Sequence, residues 1–402
     1  MGVEDAGRRA VVVGGGIGGL AAAAGLSRTG WHVVVCERSP ALEPVGTGLT
    51  LWPNGVAALA ALGLADAVRR TGRTLGGTGL LLPSGRRLST PRDGEVARRH
   101  GQGLLAVVRP ELVAVLAGAL PEGVLRLDAT VSAVRPGDER TPAEVRCGDE
   151  ILDADLVVAA DGIGSLVRRR HWPDHPAAGY RGYTTWRALV DSTGLDLGDA
   201  ASETWGRGER FGVVPLTDDR AYVYATAAAT EGTRAPDPAT ELAGLRRRFA
   251  GWHAPVPELL DRLCADDLLR HDVLSLEPPV RQPTTGRVVL LGDAAHGMEP
   301  NLGQGACLAL EDAVTLTALV AGSPVPSALD EYAAARRRRP ARLSSRSRMI
   351  GRATRTRSRA LTALRDVAVR STPAAVSLRG FDAAARWRPP ALALQPPVNR
   401  GT

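Results

Sequence analysis

The feature that most constrains the fold is a run of glycines close to the N-terminus. The residues before it, Ala10–Val13, are apolar and mostly β-branched, as in a short buried strand, and the alanine-rich stretch after it is typical of a helix that ends at Gly30. Between them, Gly14, Gly16 and Gly19 have the spacing G-x-G-x-x-G. A strand, a tight glycine turn and a helix in this order predict the first unit of a Rossmann-like α/β domain.

Each glycine has a physical role at that spacing. Gly14 allows the tight turn, Gly16 lets a pyrophosphate approach the backbone, and Gly19 lets the helix pack closely, while the helix N-terminus attracts the negative charge. The next predicted strand ends at Glu37, eighteen positions after Gly19, where a carboxylate accepts hydrogen bonds from both hydroxyls of an adenosine ribose. We expect these residues, with the adjacent Arg38, to bind a dinucleotide.

A second motif indicates which dinucleotide is bound. In residues 287–316 a buried strand ends at Gly292-Asp293, and the loop that follows leads into another helix whose free N–H groups would lie beside Asp293. Such a helix end stabilises the negative charge of a reduced flavin, and Asp293 could hold ribityl hydroxyls, so FAD fits better than NAD. The predicted FAD contacts are Asp293, Gly303, Gln304 and Gly305. The alternative is that Asp293 only caps the following turn.

Three further segments complete the pattern. Residues 153–170 contain a strand that runs into Asp161-Gly162 and then a basic helix, and "VVRPELVAVL" places Arg109 at the start of a helix. From Tyr180 to Leu276, strand-like segments alternate aromatic and small residues between turns, which predicts an inserted antiparallel sheet.

Three motifs, in chain order the N-terminal glycine motif with Glu37, Asp161-Gly162 and Gly292-Asp293, resemble those of the single-component FAD-dependent aromatic hydroxylases. Members of that family include para-hydroxybenzoate, salicylate, 3-hydroxybenzoate and urate hydroxylases. The resemblance covers roughly residues 8–340. It implies an α/β fold with a Rossmann-like FAD-binding domain, an inserted antiparallel β-sheet substrate domain and a C-terminal helix that caps the FAD domain. The implied boundaries are 1–77, 99–178 and 277–340 for the FAD-binding domain, 78–98 and 179–276 for the substrate domain, and 341–402 for the C-terminal helical segment and tail.

The resemblance also implies site residues. The segment from Gly46 to Leu51, which includes Gly48, would pass beside the flavin, Arg109 would approach its ribitol and pyrophosphate, and Asp161 would serve both FAD and NAD(P)H. The inserted sheet would cover the substrate pocket. The implied catalytic residues are Arg210, Tyr222 and Pro300, and the implied substrate-binding residues are Trp186, Arg187 and Tyr224.

For the two tyrosines a plainer alternative exists. Because Tyr222 and Tyr224 are two positions apart, one ring would lie on the core and the other would point outward, so that both serve only packing. His296, which follows Asp293 in the same motif, is expected to have a structural role.

The implied function is monooxygenation. NAD(P)H would reduce FAD when substrate is present, and the flavin C4a-hydroperoxide would then insert one oxygen atom from O2 into an electron-rich aromatic ring. Alternatives are an epoxidase of an isoprenoid or polyene, and a flavoprotein oxidase or dehydrogenase without oxygenation. Flavin halogenases depend on a lysine. Because none of the fifty basic residues here is lysine, halogenation is disfavoured. The sequence identifies no catalytic base.

Composition limits the remaining possibilities. The four cysteines have neither disulfide-framework nor metal-ligand spacing, so no metal site is predicted, and no stretch of about twenty apolar residues predicts a membrane span. We expect a cytoplasmic enzyme, a monomer or homodimer, that takes a small aromatic substrate and O2 and binds no nucleic acid. The arginine-rich segment after residue 330 could instead indicate nucleic acid or anionic lipid binding.

Overall fold

The computed structural model describes residues 7–42, 47–89 and 94–395. Of the residues predicted to lie at the site, Gly46 falls outside this part of the chain.

Strands and short helices alternate over the first 180 residues, and longer helices dominate after residue 304. The strands are β1 Arg9–Val13, β2 His32–Cys36, β3 Gly48–Leu51, β4 Arg73–Leu75, β5 Gly77–Leu81, β6 Arg87–Ser89, β7 Leu104–Val108, β8 Leu125–Arg126, β9 Val131–Arg135, β10 Ala143–Cys147, β11 Glu150–Ala154, β12 Leu156–Ala159, β13 Gly179–Asp191, β14 Ala200–Trp205, β15 Glu209–Pro215, β16 Arg220–Ala228, β17 Leu269–Ser275, β18 Thr284–Thr285 and β19 Val288–Leu290. The helices are α1 Ile17–Ser27, α2 Pro53–Ala61, α3 Ala65–Thr71, α4 Glu95–His100, α5 Arg109–Gly118, α6 Leu166–His171, α7 Pro238–Phe249, α8 Val256–Asp261, α9 Asp293–His296, α10 Gly305–Gly322, α11 Val325–Arg336, α12 Arg338–Thr354, α13 Arg359–Ser371 and α14 Ala374–Ala385, with a 3₁₀ turn at Pro300–Leu302.

The first sheet has the strand order β18-β19-β12-β1-β2-β8, and its pairs are parallel except β18 with β19. Its central strands are continuous apolar runs, as expected of a parallel sheet covered on both faces. The carboxyl ends of β1, β12 and β19 therefore lie at one edge, where the Gly14, Asp161 and Asp293 motifs begin. The α/β, Rossmann-like fold class is confirmed.

The second large sheet has the order β17-β13-β16-β15-β14-β5-β6 and draws its strands from residues 77–89 and 179–275. It is antiparallel apart from the parallel pair β14 with β5. One face packs on α7 and α8 through an apolar cluster that includes Phe211, Phe249 and Leu259. The opposite face packs on β4 and β7 through Val214 and Tyr222. This face is therefore directed toward the part of the protein that contains the first sheet.

Residues 338–395, the last described stretch of the chain, contain three helices, α12 to α14, where the sequence suggested one. Pro340 lies in the first turn of α12, where its missing N–H removes no intrahelical bond. Within the described residues, α10 is the one helix long and apolar enough to cross a membrane, and 67% of it is buried against the rest of the protein. It packs mainly on α1, α2 and α11 as the central core helix.

Candidate functional site

The glycine turn between β1 and α1 has three positions with different spatial demands. Gly14 has φ of +104°, and a Cβ there would lie 2.5 Å from the Ala160 carbonyl oxygen. A Cβ on Gly19 would lie 2.0 Å from the Gly14 carbonyl oxygen. A Cβ on Gly16, by contrast, would meet no atom within 4 Å. Gly14 and Gly19 are therefore required by the fold, whereas Gly16 borders open space.

Glu37 lies directly after β2 and contacts this turn. One carboxylate oxygen accepts a hydrogen bond from the Gly15 N–H at 2.6 Å, and the other accepts one from the Ser39 N–H at 2.9 Å. Each oxygen has two acceptor lone pairs, so both can still accept a bond from a ligand hydroxyl. Arg38 is exposed beside it.

Asp161 follows β12 at the same edge of the sheet. Its Oδ2 accepts a hydrogen bond from the Val167 N–H at 3.2 Å, while its Oδ1 is buried and has no partner among the described residues. Because an unpaired buried carboxylate oxygen is costly, this atom is suited to accept a hydrogen bond from a bound molecule.

Asp293 lies beside the start of α10. A Cβ on Gly305 would be 3.9 Å from Asp293 Oδ1, and the Asp293 side chain is exposed. The N-cap of α9 is Gly292, and Asp293 is the first residue inside the helix. Its alternative role as an N-cap is therefore not supported. The first turn of α10 carries no acidic side chain and no side-chain cap, so its N–H groups and positive dipole end are available to an anion. Gly303, with φ of +60°, forms the turn just before it.

The Gly292-Asp293 turn is fixed by a buried charge cluster behind it. Asp312 accepts hydrogen bonds from the Gly292 N–H at 2.9 Å, from His296 Nε2 at 2.6 Å and from the Arg336 guanidinium. Burial alone would raise the pKa of Asp312, but Arg336 and His296 lower it to about 2. His296 thus has a structural partner, as expected from the sequence.

Gly48, Arg109 and Tyr222 lie where a small three-stranded sheet, of order β3-β7-β4, packs on the second large sheet. β3 pairs with β7, so Gly48 lies opposite Val108, next to Arg109. A Cβ on Gly48 would lie 2.3 Å from Tyr222 Cβ, so only glycine lets β3 approach β16 this closely. Arg109 is the first residue of α5, and its charge opposes the upward shift that burial gives the Tyr222 pKa.

Arg210 lies in β15 on the same face as Tyr222, and it is 4% exposed. Its guanidinium donates to Glu203 at 3.1 Å, to the Thr226 hydroxyl at 3.2 Å and to the Asn301 side-chain oxygen. Burial alone would lower the pKa of Arg210, but Glu203 and other acidic neighbours raise it above its usual value. The cation is therefore maintained, and Asn301 links it to the loop that begins at Pro300, which is itself exposed.

The two tyrosines of β16 do not diverge, so the alternative that one points outward is wrong. Residues two apart on a strand lie on one face, and the rings of Tyr222 and Tyr224 are 5.8 Å apart. The Tyr224 ring covers Gly212, whose Cβ would lie 2.1 Å from it. Burial raises the pKa of both hydroxyls, so both are neutral at physiological pH. Arg187 faces Tyr224 on the neighbouring strand.

Trp186 is on the wrong side of the sheet for the role predicted for it. As the neighbour of Arg187 it points to the opposite face, where its Nε1 donates to Glu241 of α7 at 2.6 Å and Arg270 lies over its ring. It belongs to the apolar cluster with Phe211 and Phe249. We therefore withdraw Trp186 from the candidate substrate contacts.

Sequence reasoning missed several side chains at this interface. Tyr183 donates to Glu299 at 3.0 Å and to Asn301 at 3.3 Å, and burial raises its pKa far above the usual tyrosine value. Trp52 stacks on Phe381 of α14 with ring centroids 4.1 Å apart, beside the apolar cluster that contains Tyr222. Asn301 and Trp52 flank recognised motif residues, which is the only signal that could have found them.

The residues at the first sheet's edge fit FAD. The open space in front of Gly16 and the uncapped N-terminus of α1 suit a diphosphate. The unpaired Asp161 oxygen and the exposed Asp293 carboxylate suit sugar and ribityl hydroxyls. The N-terminus of α10 suits the negative charge of a reduced flavin.

Comparison with known proteins agrees with this geometry. A family model described as FAD binding domain matches residues 8–347. The chain is 39% identical to aurachin C monooxygenase/isomerase of Stigmatella aurantiaca, over 81% of this chain and 84% of that protein. It is 34% identical to 2-heptyl-3-hydroxy-4(1H)-quinolone synthase of Pseudomonas aeruginosa, over 90% and 94%. The crystal structure of Klebsiella pneumoniae HpxO with FAD and uric acid superimposes with a TM-score of 0.86 at 30% identity, covering 93% of this chain and 95% of HpxO.

The chain belongs to the FAD binding domain family. Its fold is that of the flavoprotein hydroxylases, and the protein is an FAD-dependent monooxygenase of a family whose typical reductant is NAD(P)H. The resemblance inferred from the glycine and aspartate motifs is confirmed.

Proposed function

We propose that the protein hydroxylates a small, planar, electron-rich heteroaromatic compound and that Arg210 recognises it. The observation that carries this proposal is the position of Arg210, a buried cation on the sheet face directed at the cofactor loop and joined to that loop through Asn301. Relatives named for uric acid and for a 4(1H)-quinolone support the substrate class, since both compounds are planar heteroaromatics with ring carbonyls. A guanidinium is a strong donor to such a carbonyl or its anion.

The residues of the protein itself would hold the substrate and orient its ring. Bound FAD supplies the activation of O2, and one oxygen atom is transferred to a ring carbon. Arg210 orients the ring oxygen or nitrogen of the substrate, and Tyr222 and Tyr224, as neutral phenols, donate hydrogen bonds rather than accept a proton. Pro300 would hold the loop against the flavin, and Arg187 would add positive charge at the opening.

Apolar side chains exclude water from the same region. Tyr222 packs with Leu75, Leu104, Val108 and Val214. Exclusion of water strengthens the contacts of Arg210 and protects a reactive oxygenating species from unproductive decay.

The cofactor roles remain part of the proposal. Gly16, Glu37 and Arg38 would bind the adenosine and pyrophosphate, and Arg109 and Asp161 the central part of FAD. Asp293, with the turn of Gly303, Gln304 and Gly305, would bind the ribityl chain and flavin. NADH or NADPH would visit this site transiently. The domain division given above and a cytoplasmic location belong to the same proposal.

The test is oxygen labelling. The FAD-loaded protein is supplied with NADH or NADPH under ¹⁸O2, together with uric acid, 6-hydroxynicotinate and 4(1H)-quinolones with and without a 2-alkyl chain. We expect one candidate class to accelerate NAD(P)H oxidation and to yield a product with one ¹⁸O atom. Hydrogen peroxide formed in equal amount to the NAD(P)H consumed, with every heteroaromatic, would instead support the oxidase alternative. A labelled epoxide formed from a polyene would support the epoxidase alternative.

A further inference from the structure

Helix α13 has its polar face inward and its apolar face outward. Thr362 and Arg365 are buried against the protein, whereas Leu361, Leu364 and Val367 are 57%, 66% and 59% exposed. These three apolar residues are spaced three apart, so they lie along one side of the helix. A surface helix of a globular protein normally buries such a stripe.

The inward face is held by polar contacts that fix this orientation. Arg365 donates to the Gly206 carbonyl oxygen at 3.1 Å, lies over the Trp205 ring and pairs with Asp366 at 2.7 Å. Ser358 caps the first turn by accepting a hydrogen bond from the Leu361 N–H. Because Arg365 anchors the helix to the second sheet, rotation that would bury the leucines would break these contacts.

Arginines flank the exposed apolar side along the chain. Residues 342–370 contain nine arginines and one acidic residue, Asp366. Arg352, Arg357, Arg359 and Arg370 are exposed, and none forms an ion pair with another residue in the described part of the chain. The surface therefore combines an apolar ridge with unpaired cations.

We propose that α13 binds the surface of an anionic lipid bilayer. Leu361, Leu364 and Val367 would enter the boundary between headgroups and acyl chains, while the flanking arginines contact lipid phosphates. Amphipathic helices with basic polar faces bind membranes in this way, and each cation near an anionic surface adds to the affinity.

The observations favour a membrane over the other candidate partners. In a two-fold dimer the same surface faces itself, so the exposed arginines of one copy would lie opposite those of the other and repel. A nucleic acid would use the arginines but would leave the apolar ridge in water. A bilayer satisfies both features, and the inference does not depend on the identity of the substrate.

The test uses the full-length, FAD-loaded protein and vesicle flotation. Vesicles of phosphatidylcholine alone are compared with vesicles that also contain phosphatidylglycerol, at about 0.05 M and about 0.5 M NaCl. We expect binding to the anionic vesicles at low salt and release at high salt. The double variant Leu361→Gln/Leu364→Gln should bind the anionic vesicles at least about tenfold more weakly. Ile151→Gln, which changes an exposed isoleucine on β11, should bind like the unchanged protein.

Three results would overturn the proposal. The first is no flotation with either vesicle, and the second is equal flotation of the double variant. The third is a dimer, measured by light scattering, that the double variant converts to monomer, because the ridge would then be a self-association surface. FAD absorbance and thermal midpoint report folding of each variant, and Arg359→Gln/Arg370→Gln tests the charge independently by lowering binding while keeping the ridge.

Discussion

The glycine turn of Gly14–Gly19 and the face of the second sheet that carries Arg210 are the regions proposed to bind cofactor and substrate, and they are built differently. At the turn the backbone itself defines the shape, within a few consecutive residues. On the sheet face, side chains from β13, β15 and β16 meet those of the Pro300 loop. The turn therefore responds to a single added methyl group, whereas the sheet face responds to loss of a polar contact.

The largest effect is expected from Gly19→Ala. The new methyl group would meet the Gly14 carbonyl oxygen at 2.0 Å, so α1 must move from β1, at a cost of about 3 kcal/mol. Urea unfolding measures this loss. Gly118→Ala is the matched control, because that helical glycine has open space around it and alanine there should add up to about 1 kcal/mol. Equal stability of the two variants would contradict the account of the turn.

Asp312→Asn should remove a pH-dependent part of stability. In the folded protein the pKa of Asp312 is about 2, below the usual value of about 3.9 in an unfolded chain, and this difference corresponds to roughly 2 to 3 kcal/mol. This stabilisation is complete above about pH 4 and is lost as the pH falls toward 2. Urea midpoints at pH 6 and pH 3 should differ less in the variant than in the unchanged protein, whereas the exposed Asp330→Asn should leave the difference as it was.

Gly16→Ala distinguishes the role of the turn in protein stability from its role in cofactor binding. Because its Cβ would meet no protein atom within 4 Å, the stability of the FAD-free protein should fall by no more than about 1 kcal/mol, the cost of alanine at the N-cap of α1. A methyl group in the space proposed for the pyrophosphate should weaken FAD binding by about 2 kcal/mol, roughly thirtyfold. Fluorescence titration of FAD into the FAD-free protein gives the dissociation constant, and an unchanged value would place the diphosphate elsewhere.

The smallest effect is expected from Trp186→Phe, which tests the assignment of sheet faces. The variant loses the hydrogen bond to Glu241 and should be destabilised by about 1 kcal/mol. The KM for substrate should stay the same, since the ring lies on the helix-covered face. A tenfold rise in KM would contradict this assignment, because it would indicate that Trp186 lies on the substrate side of the sheet.

The sequence predicted the turn well because its determinants are local. Gly14, Glu37 and Asp161 each follow a recognisable strand, and Gly19 lies in the first turn of the helix after Gly14, so their clustering follows from the rule that parallel strands end at one edge. The sheet face was predicted less well. Alternation along β13 separates Trp186 from Arg187 but does not say which of them faces the cofactor, because that depends on how the sheet packs. Asn301 and Tyr183 meet only through long-range contacts.

The most direct test of the assignment of substrate binding to the sheet face and cofactor binding to the turn is Arg210→Gln. Both kcat/KM and the dissociation constant of FAD are measured on one preparation. The variant loses a charge-assisted donor on the substrate side and keeps every contact of the glycine turn. We predict that kcat/KM for the substrate found by oxygen labelling falls about a hundredfold, or about 3 kcal/mol, while the dissociation constant of FAD stays unchanged. Unchanged kcat/KM, or a loss of FAD affinity that accounts for the loss of activity, would contradict the account.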